Sequence, residues 1–129
     1  MKIIYALILF TTTTVFASAQ TLQWARKMGG TGVDFGQAIA VDNASNVYSV
    51  GLFANTADFD PGPGVFNLTS AGSWDIYISK LDSSGIFQWA VRMGSTGDDR
   101  GLSIAVDGPG VYFTGTFSLT VDFDPGAGT

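Results

Sequence analysis

Apolar and polar residues alternate in short bursts along this chain. Phe87, Trp89, Val91 and Met93 are interleaved with Gln88, Ala90 and Arg92, the period of two that a half-buried strand requires. Leu22, Trp24, Arg26 and Met28 show the same spacing and predict a strand over residues 22–28. Residues 38–41 form a small-residue apolar run, as expected of a strand covered on both faces. Residues 47–53 predict the next strand, residues 65–68 a short one, and residues 75–81 another carrying Ile76, Tyr77, Ile78 and Leu81. Asp82-Ser83-Ser84-Gly85 then joins that strand to residues 86–93 as a hairpin, with Gly85 able to take the left-handed conformation. No segment beyond the first twenty residues carries a helical period.

The same pattern occurs twice. Gln23-Trp24-Ala25 returns as Gln88-Trp89-Ala90, and Ile39-Ala40-Val41-Asp42 as Ile104-Ala105-Val106-Asp107. Val47-Tyr48 returns as Val111-Tyr112, and Asp58-Phe59-Asp60-Pro61-Gly62 as Asp122-Phe123-Asp124-Pro125-Gly126. The period is roughly 65 residues. It shortens by one where Gly108-Pro109-Gly110 replaces Asn43-Ala44-Ser45-Asn46, an indel of the kind surface turns tolerate. Four or five short strands in one such period make a propeller-blade pattern.

The residues Trp-Ala-x-x-Met-Gly, Ile-Ala-Val-Asp before Val-Tyr-x-x-Gly-x-Phe, Asp-Phe-Asp-Pro-Gly, and Asp75-x-Tyr77-Ile78-x-Lys80-Leu81-Asp82 carry a resemblance. Over residues 22–128 the chain resembles the SBBP repeat, the seven-bladed β-propeller repeat of exported bacterial proteins. The resemblance implies an all-β propeller scaffold and no shared catalytic set. Copies at 22–86 and 87–129 amount to about one and a half blades. A propeller closes with at least four, so the chain reads as an N-terminal piece that needs further blades. Residues 21–28 then await a strand partner from the far C-terminus of a longer chain.

Composition fits this picture. There are 17 Gly, no Cys and no His, and all 11 acidic residues are Asp. Without His or Cys, the commonest general base, thiolate metal sites and disulfides are absent. Lys2, the apolar run 3–10 extended to Phe16, and Ala17-Ser18-Ala19 form a secretory signal peptide over 1–19, leaving the partial propeller at 20–129. Lys2 leaves with it, so five basic residues face 11 Asp. That balance disfavours nucleic acid as a partner, and no mature segment is long enough to span a membrane.

Asp-Phe-Asp-Pro-Gly is the motif richest in chemistry. Asp58 and Asp60, with Asp122 and Asp124 in the second copy, are the candidate Ca²⁺ ligands, because paired Asp before Gly resembles the opening of a calcium loop. The same residues also build a tight turn, in which Asp accepts backbone N–H groups and Pro and Gly fix the bend. No Glu stands at the distal position a calcium loop uses. Asp34 follows Gly30-Thr31-Gly32 and Asp99 the corresponding Ser95-Thr96-Gly97, segments that read as turns, and Arg100 is placed to pair with Asp98 or Asp99. Trp24 and Trp89, recurring at one strand position, read as core.

A blade-building residue is needed in every blade, whereas a functional one is needed once. Function therefore points to positions that differ between the copies: Arg26 against Val91, Val33 against Asp98, Phe35 against Arg100, and the loop 43–46 against 108–110. The expected role is a non-catalytic scaffold or binding module, exported to the cell surface or beyond, with a protein or glycan ligand. The alternatives are a calcium-stabilised adhesin or glycan-binding module, and the propeller part of a larger secreted hydrolase or lyase.

Overall fold

The computed structural model describes residues 20–123. The leader over 1–19 and the candidate ligand Asp124 lie outside the described residues. Among those described there are nine strands and no helix, and no helix long and apolar enough to cross a membrane.

Four strands form one antiparallel blade: β2 (Asp34–Val41), β3 (Val47–Phe53), β6 (Asp75–Leu81) and β7 (Phe87–Met93), in that spatial order. Each strand is bonded to its neighbour in the meander, so only β2 and β7 leave an edge. The bends between strands are built by carboxylates. Asp42 Oδ1 accepts the N–H groups of Ala44 and Asn46, and Asp82 Oδ1 accepts those of Ser84 and Ile86. The chain turns back through a positive φ at Ser45 and at Gly85. The two hairpins therefore share one chemistry, an Asx turn closed by a left-handed residue. A second, small sheet joins a strand that precedes β2 to two strands of the β3–β6 connection. Its strands β1 (Gly29–Gly30), β4 (Thr56–Asp58) and β5 (Asn67–Thr69) lie in the order given.

The next repeat begins with β8 (Arg100–Asp107) and β9 (Gly110–Thr116), an antiparallel hairpin. Its two-residue turn starts with Gly108 at φ +54, as a type II′ turn requires. One complete blade plus one hairpin is the all-β, unclosed propeller architecture that the sequence pattern predicts.

The blade has an apolar cluster on each face. On the trailing face Tyr48, Val50, Ile76, Ile78 and Met93 bury against Ile104 of β8, with Trp89 packed beside them. The Trp89 and Tyr48 rings meet edge to face at 6.1 Å. On the leading face Phe53, Ala57, Phe59, Tyr77 and Ala90 form the second cluster, flanked by Met28, Leu68 and Phe87. The alternation of β3 and β6 sends neighbouring side chains to opposite clusters, which is why both strands are buried almost throughout.

Three readings are corrected. Residues 22–28 do not form a strand. Their second-copy counterpart β7 pairs with β6, but only Gln20 and Thr21 precede this segment among the described residues. A lone extended chain has nothing to take its backbone bonds. It is held by side chains instead: the Trp24 indole donates to the Ser83 carbonyl at 3.0 Å and the Arg26 guanidinium to that of Gly85 at 3.1 Å. Residues 38–41 are not covered on both faces, since Ile39 is 69% exposed. The strand also begins earlier, at Asp34. Finally, Arg100 does not pair with Asp98 or Asp99. It stacks over the Trp74 ring at 4.7 Å, where a weakly hydrated guanidinium meets the negative ring face.

Candidate functional site

Gly30-Thr31-Gly32-Val33-Asp34 and its counterpart Ser95-Thr96-Gly97-Asp98-Asp99 hold their last Asp in matching places but not in matching surroundings. Gly30 N–H donates to Asp34 Oδ2 at 2.8 Å, and Ser95 N–H donates to Asp99 Oδ2 at 2.7 Å. There the equivalence ends. Asp99 also accepts the Ser95 hydroxyl and, on Oδ1, the Ser118 N–H at 2.7 Å. It is fully buried and well supplied with donors. In the first copy position 30 is Gly, with no hydroxyl. The Ala54 N–H, at the position of Ser118, goes to the Val33 carbonyl instead. Asp34 Oδ1 is left buried without a hydrogen-bond partner. An unpaired buried oxygen of this kind costs about 1–3 kcal/mol, more when charged.

Asp34 lies in the wall of a cleft of about 350 Å³ between residues 26–29 and the start of β2. Arg26, Lys27, Phe35 and Tyr77 line it with Asp34. Burial pushes the Tyr77 hydroxyl above its ordinary value of 10.0; a hydrogen bond with Ser49 opposes this and the Asp34 charge adds to it. The phenol is thus neutral across the physiological range. The cleft offers one carboxylate acceptor in need of a donor, two cationic side chains and an aromatic wall, at a volume that suits a small ligand. Arg26 and Phe35 are two of the positions at which the copies differ. The sequence reads Asp34 as part of a turn only and marks neither Gly30 nor Tyr77 as a site residue. The orphaned oxygen left no local signal, because it depends on the Ala54 N–H, twenty residues away, being taken by the Val33 carbonyl.

The first Asp-Phe-Asp-Pro-Gly segment, Asp58–Gly62, takes up the turn geometry. Asp58 Oδ1 accepts the N–H groups of Asp60 and Phe66, and Asp60 Oδ1 accepts that of Gly62 at 2.8 Å. Phe59 is 2% exposed and anchors the loop in the leading-face cluster. Asp122 stands opposite Gly94, as Asp58 stands opposite Gly29. Asp58 and Asp60 sit in one loop, while Asp122 belongs to the next repeat. Among the described residues no three carboxylates gather as a metal cluster.

With this geometry in place, the likenesses to known proteins can be read. Residues 23–52 match the SBBP family model, described as a beta-propeller repeat. The chain is 32% identical over 112 residues to an uncharacterized WD repeat-containing protein, L264, of Acanthamoeba polyphaga mimivirus, covering 74% of this chain and 8% of that protein. It is 27% identical over 118 residues to the regulatory protein FlaEY of Caulobacter vibrioides, covering 88% of this chain and 12% of that protein. The chain thus spans about a tenth of the length of these curated relatives. No solved structure matches it.

Proposed function

We propose that this chain, which carries the SBBP beta-propeller repeat, serves as part of an exported, non-catalytic module that binds a partner outside the cell. The observation that supports this reading is the cleft at Asp34. The second copy supplies donors to both oxygens of Asp99. Here one oxygen has no donor from the protein, in a cleft that Arg26 and Lys27 also line. A hydroxyl-bearing ligand such as a glycan would donate to Asp34 and accept from Lys27. Export rests on the leader at 1–19, and amino-terminal sequencing of the secreted chain should begin at Gln20.

The test of binding is a glycan array probed with the labelled chain and with Asp34→Asn. Retention by the wild type and loss of more than about tenfold in the variant, some 1.4 kcal/mol, supports the cleft. Equal retention by both, or none by the wild type, refutes it. A second reading, calcium stabilisation of the Asp-Phe-Asp-Pro-Gly loops, is favoured by one detail: the hydrogen bonds of Asp58 and Asp60 use Oδ1 in both cases, leaving each Oδ2 for a cation. It requires Ca²⁺ to raise the melting temperature and Asp60→Asn to remove the rise. No response to Ca²⁺ or a chelator sinks it.

A further inference from the structure

Two of the positions at which the copies differ meet one tryptophan. Asp98 and Arg100 stand where the first copy has Val33 and Phe35, and both adjoin Trp74, the residue just before β6. Trp74 and Asp98 form a single parallel bridge, and the Trp74 carbonyl accepts the Asp99 N–H at 2.8 Å. Side chains alternate along this stretch: Asp99 is fully buried, while Asp98 and Arg100 are exposed. The Arg100 guanidinium lies over the Trp74 ring. The strands on either side of this junction, β6 and β8, both belong to the described structure.

The ring contact leaves the N–H donors of the guanidinium unused. Among the described residues no acceptor takes a hydrogen bond from Arg100, and no donor reaches the Asp98 carboxylate. Asp98 bonds through its backbone carbonyl, which accepts the Ser118 hydroxyl at 3.0 Å. Asp99, the other neighbouring acid, is occupied by Ser95 and Ser118. A guanidinium held over a ring face is restrained in place while its planar fork stays available, and that fork matches the two oxygens of a carboxylate. We infer that Trp74, Asp98 and Arg100 form a binding site for a uronic-acid sugar, with the sugar carboxylate on Arg100 and a neighbouring hydroxyl donating to Asp98. The Asp98 charge selects this class. It repels a dianionic phosphate more strongly than a monoanion, and a sugar acid also brings the hydroxyl donor that Asp98 accepts. The inference names a ligand class at a second place on the chain and does not depend on the Asp34 cleft.

Isothermal titration calorimetry of the purified chain with tetragalacturonate, and with maltotetraose as an uncharged sugar of equal length, tests the site. The acidic sugar should bind and the neutral one should not. Arg100→Lys keeps the charge but gives up the bidentate contact, and should weaken binding by about tenfold or more. Arg100 is exposed, so this variant should keep the far-ultraviolet circular dichroism of the wild type. Asp34→Asn should leave the affinity for tetragalacturonate unchanged, which separates this site from the cleft. The inference is overturned by a wild type that does not bind tetragalacturonate, by equal binding of the two sugars, by Arg100→Lys binding as the wild type does, or by a loss confined to Asp34→Asn.

Discussion

Substituting Asn at Asp99 and at Asp34 applies one perturbation to the same repeat position twice. Asp99 receives Ser95 N–H and Ser95 hydroxyl on one oxygen and Ser118 N–H on the other. An amide keeps one oxygen only, so in either orientation its NH₂ faces a backbone N–H. One charge-assisted bond is lost in a fully buried setting, which costs about 2–3 kcal/mol. At Asp34 the amide oxygen retains the bond from Gly30. The NH₂ takes the place of Oδ1, which had no partner to lose. That change should cost about 0–1 kcal/mol, because a bond to a charged oxygen becomes neutral while an unpaired acceptor disappears. The expected gap of about 2 kcal/mol is roughly a thirtyfold difference in the unfolding constant. Urea denaturation followed by tryptophan fluorescence resolves it. Amide exchange adds a local check: Ser95 or Ser118 should lose protection in Asp99→Asn, while Gly30 should keep it in Asp34→Asn. Equal destabilisation by the two substitutions would refute the account of unequal cradles.

Phe59→Ala should destabilise the chain by about 3–5 kcal/mol, as removal of a buried ring does. Phe123→Ala, at the same repeat position but 48% exposed, should cost under about 1 kcal/mol; thermal melts of both variants test the pair. Gly85→Ala combines a positive φ with a Cβ brought to 3.0 Å from the Trp24 ring, whereas Gly108→Ala meets a positive φ and open space. Denaturant titration should give about 1 kcal/mol for Gly108→Ala and clearly more for Gly85→Ala. The Asp42 carboxyl is held below its ordinary 3.8 chiefly by the Asn46 side-chain amide, against some desolvation and with help from the Asn46 and Ala44 N–H groups and the Tyr48 hydroxyl. A depressed folded pKa stabilises above the unfolded value, and that contribution is lost as pH falls through the folded one. Carbon-13 titration should place the Asp42 pKa below 3.8, and Asn46→Ala should raise it.

The strands at 47–53 and 75–81 and the Asp82–Gly85 hairpin were legible because local signals agree there: alternation, turn residues and a left-handed glycine. The Asp-Phe-Asp-Pro-Gly turn was legible as well, since its donors and acceptors lie within a few residues of one another. The small sheet was only partly so. Residues 65–68 announced β5 at Asn67–Thr69, but β1 and β4 are two and three residues long, too short for a period to show. Residues 22–28 have the alternation of a strand and fail to become one, because pairing depends on a neighbour that alternation cannot supply. Arg100 looked like one half of an ion pair because its acidic neighbours adjoin it in sequence. Trp74, a strand away, offers it a ring face, while Asp99 is consumed by buried N–H groups. The cleft was invisible for a related reason. Its walls come from residues 26–29, β2 and β6, and the unpaired oxygen in that wall follows from the Ala54 N–H going to the Val33 carbonyl, where Ser118 N–H serves Asp99.

These cases share one cause, which the repeat exposes by acting as its own control. Tyr48 and Tyr112 stand in equivalent strands after identical Ile-Ala-Val-Asp runs, yet one is core and the other surface. Phe59 and Phe123 lie in identical Asp-Phe-Asp motifs and differ in the same way. The residue sets what a position can bury, and the adjoining repeat decides whether it is buried. Stability in such an array is then a sum of blade terms and interface terms between neighbours. Tyr48, Val50, Ile76 and Ile78 contribute to the interface term, because those side chains meet the hairpin of the next repeat. Weakening Ile104 should therefore loosen the preceding blade as well as its own hairpin.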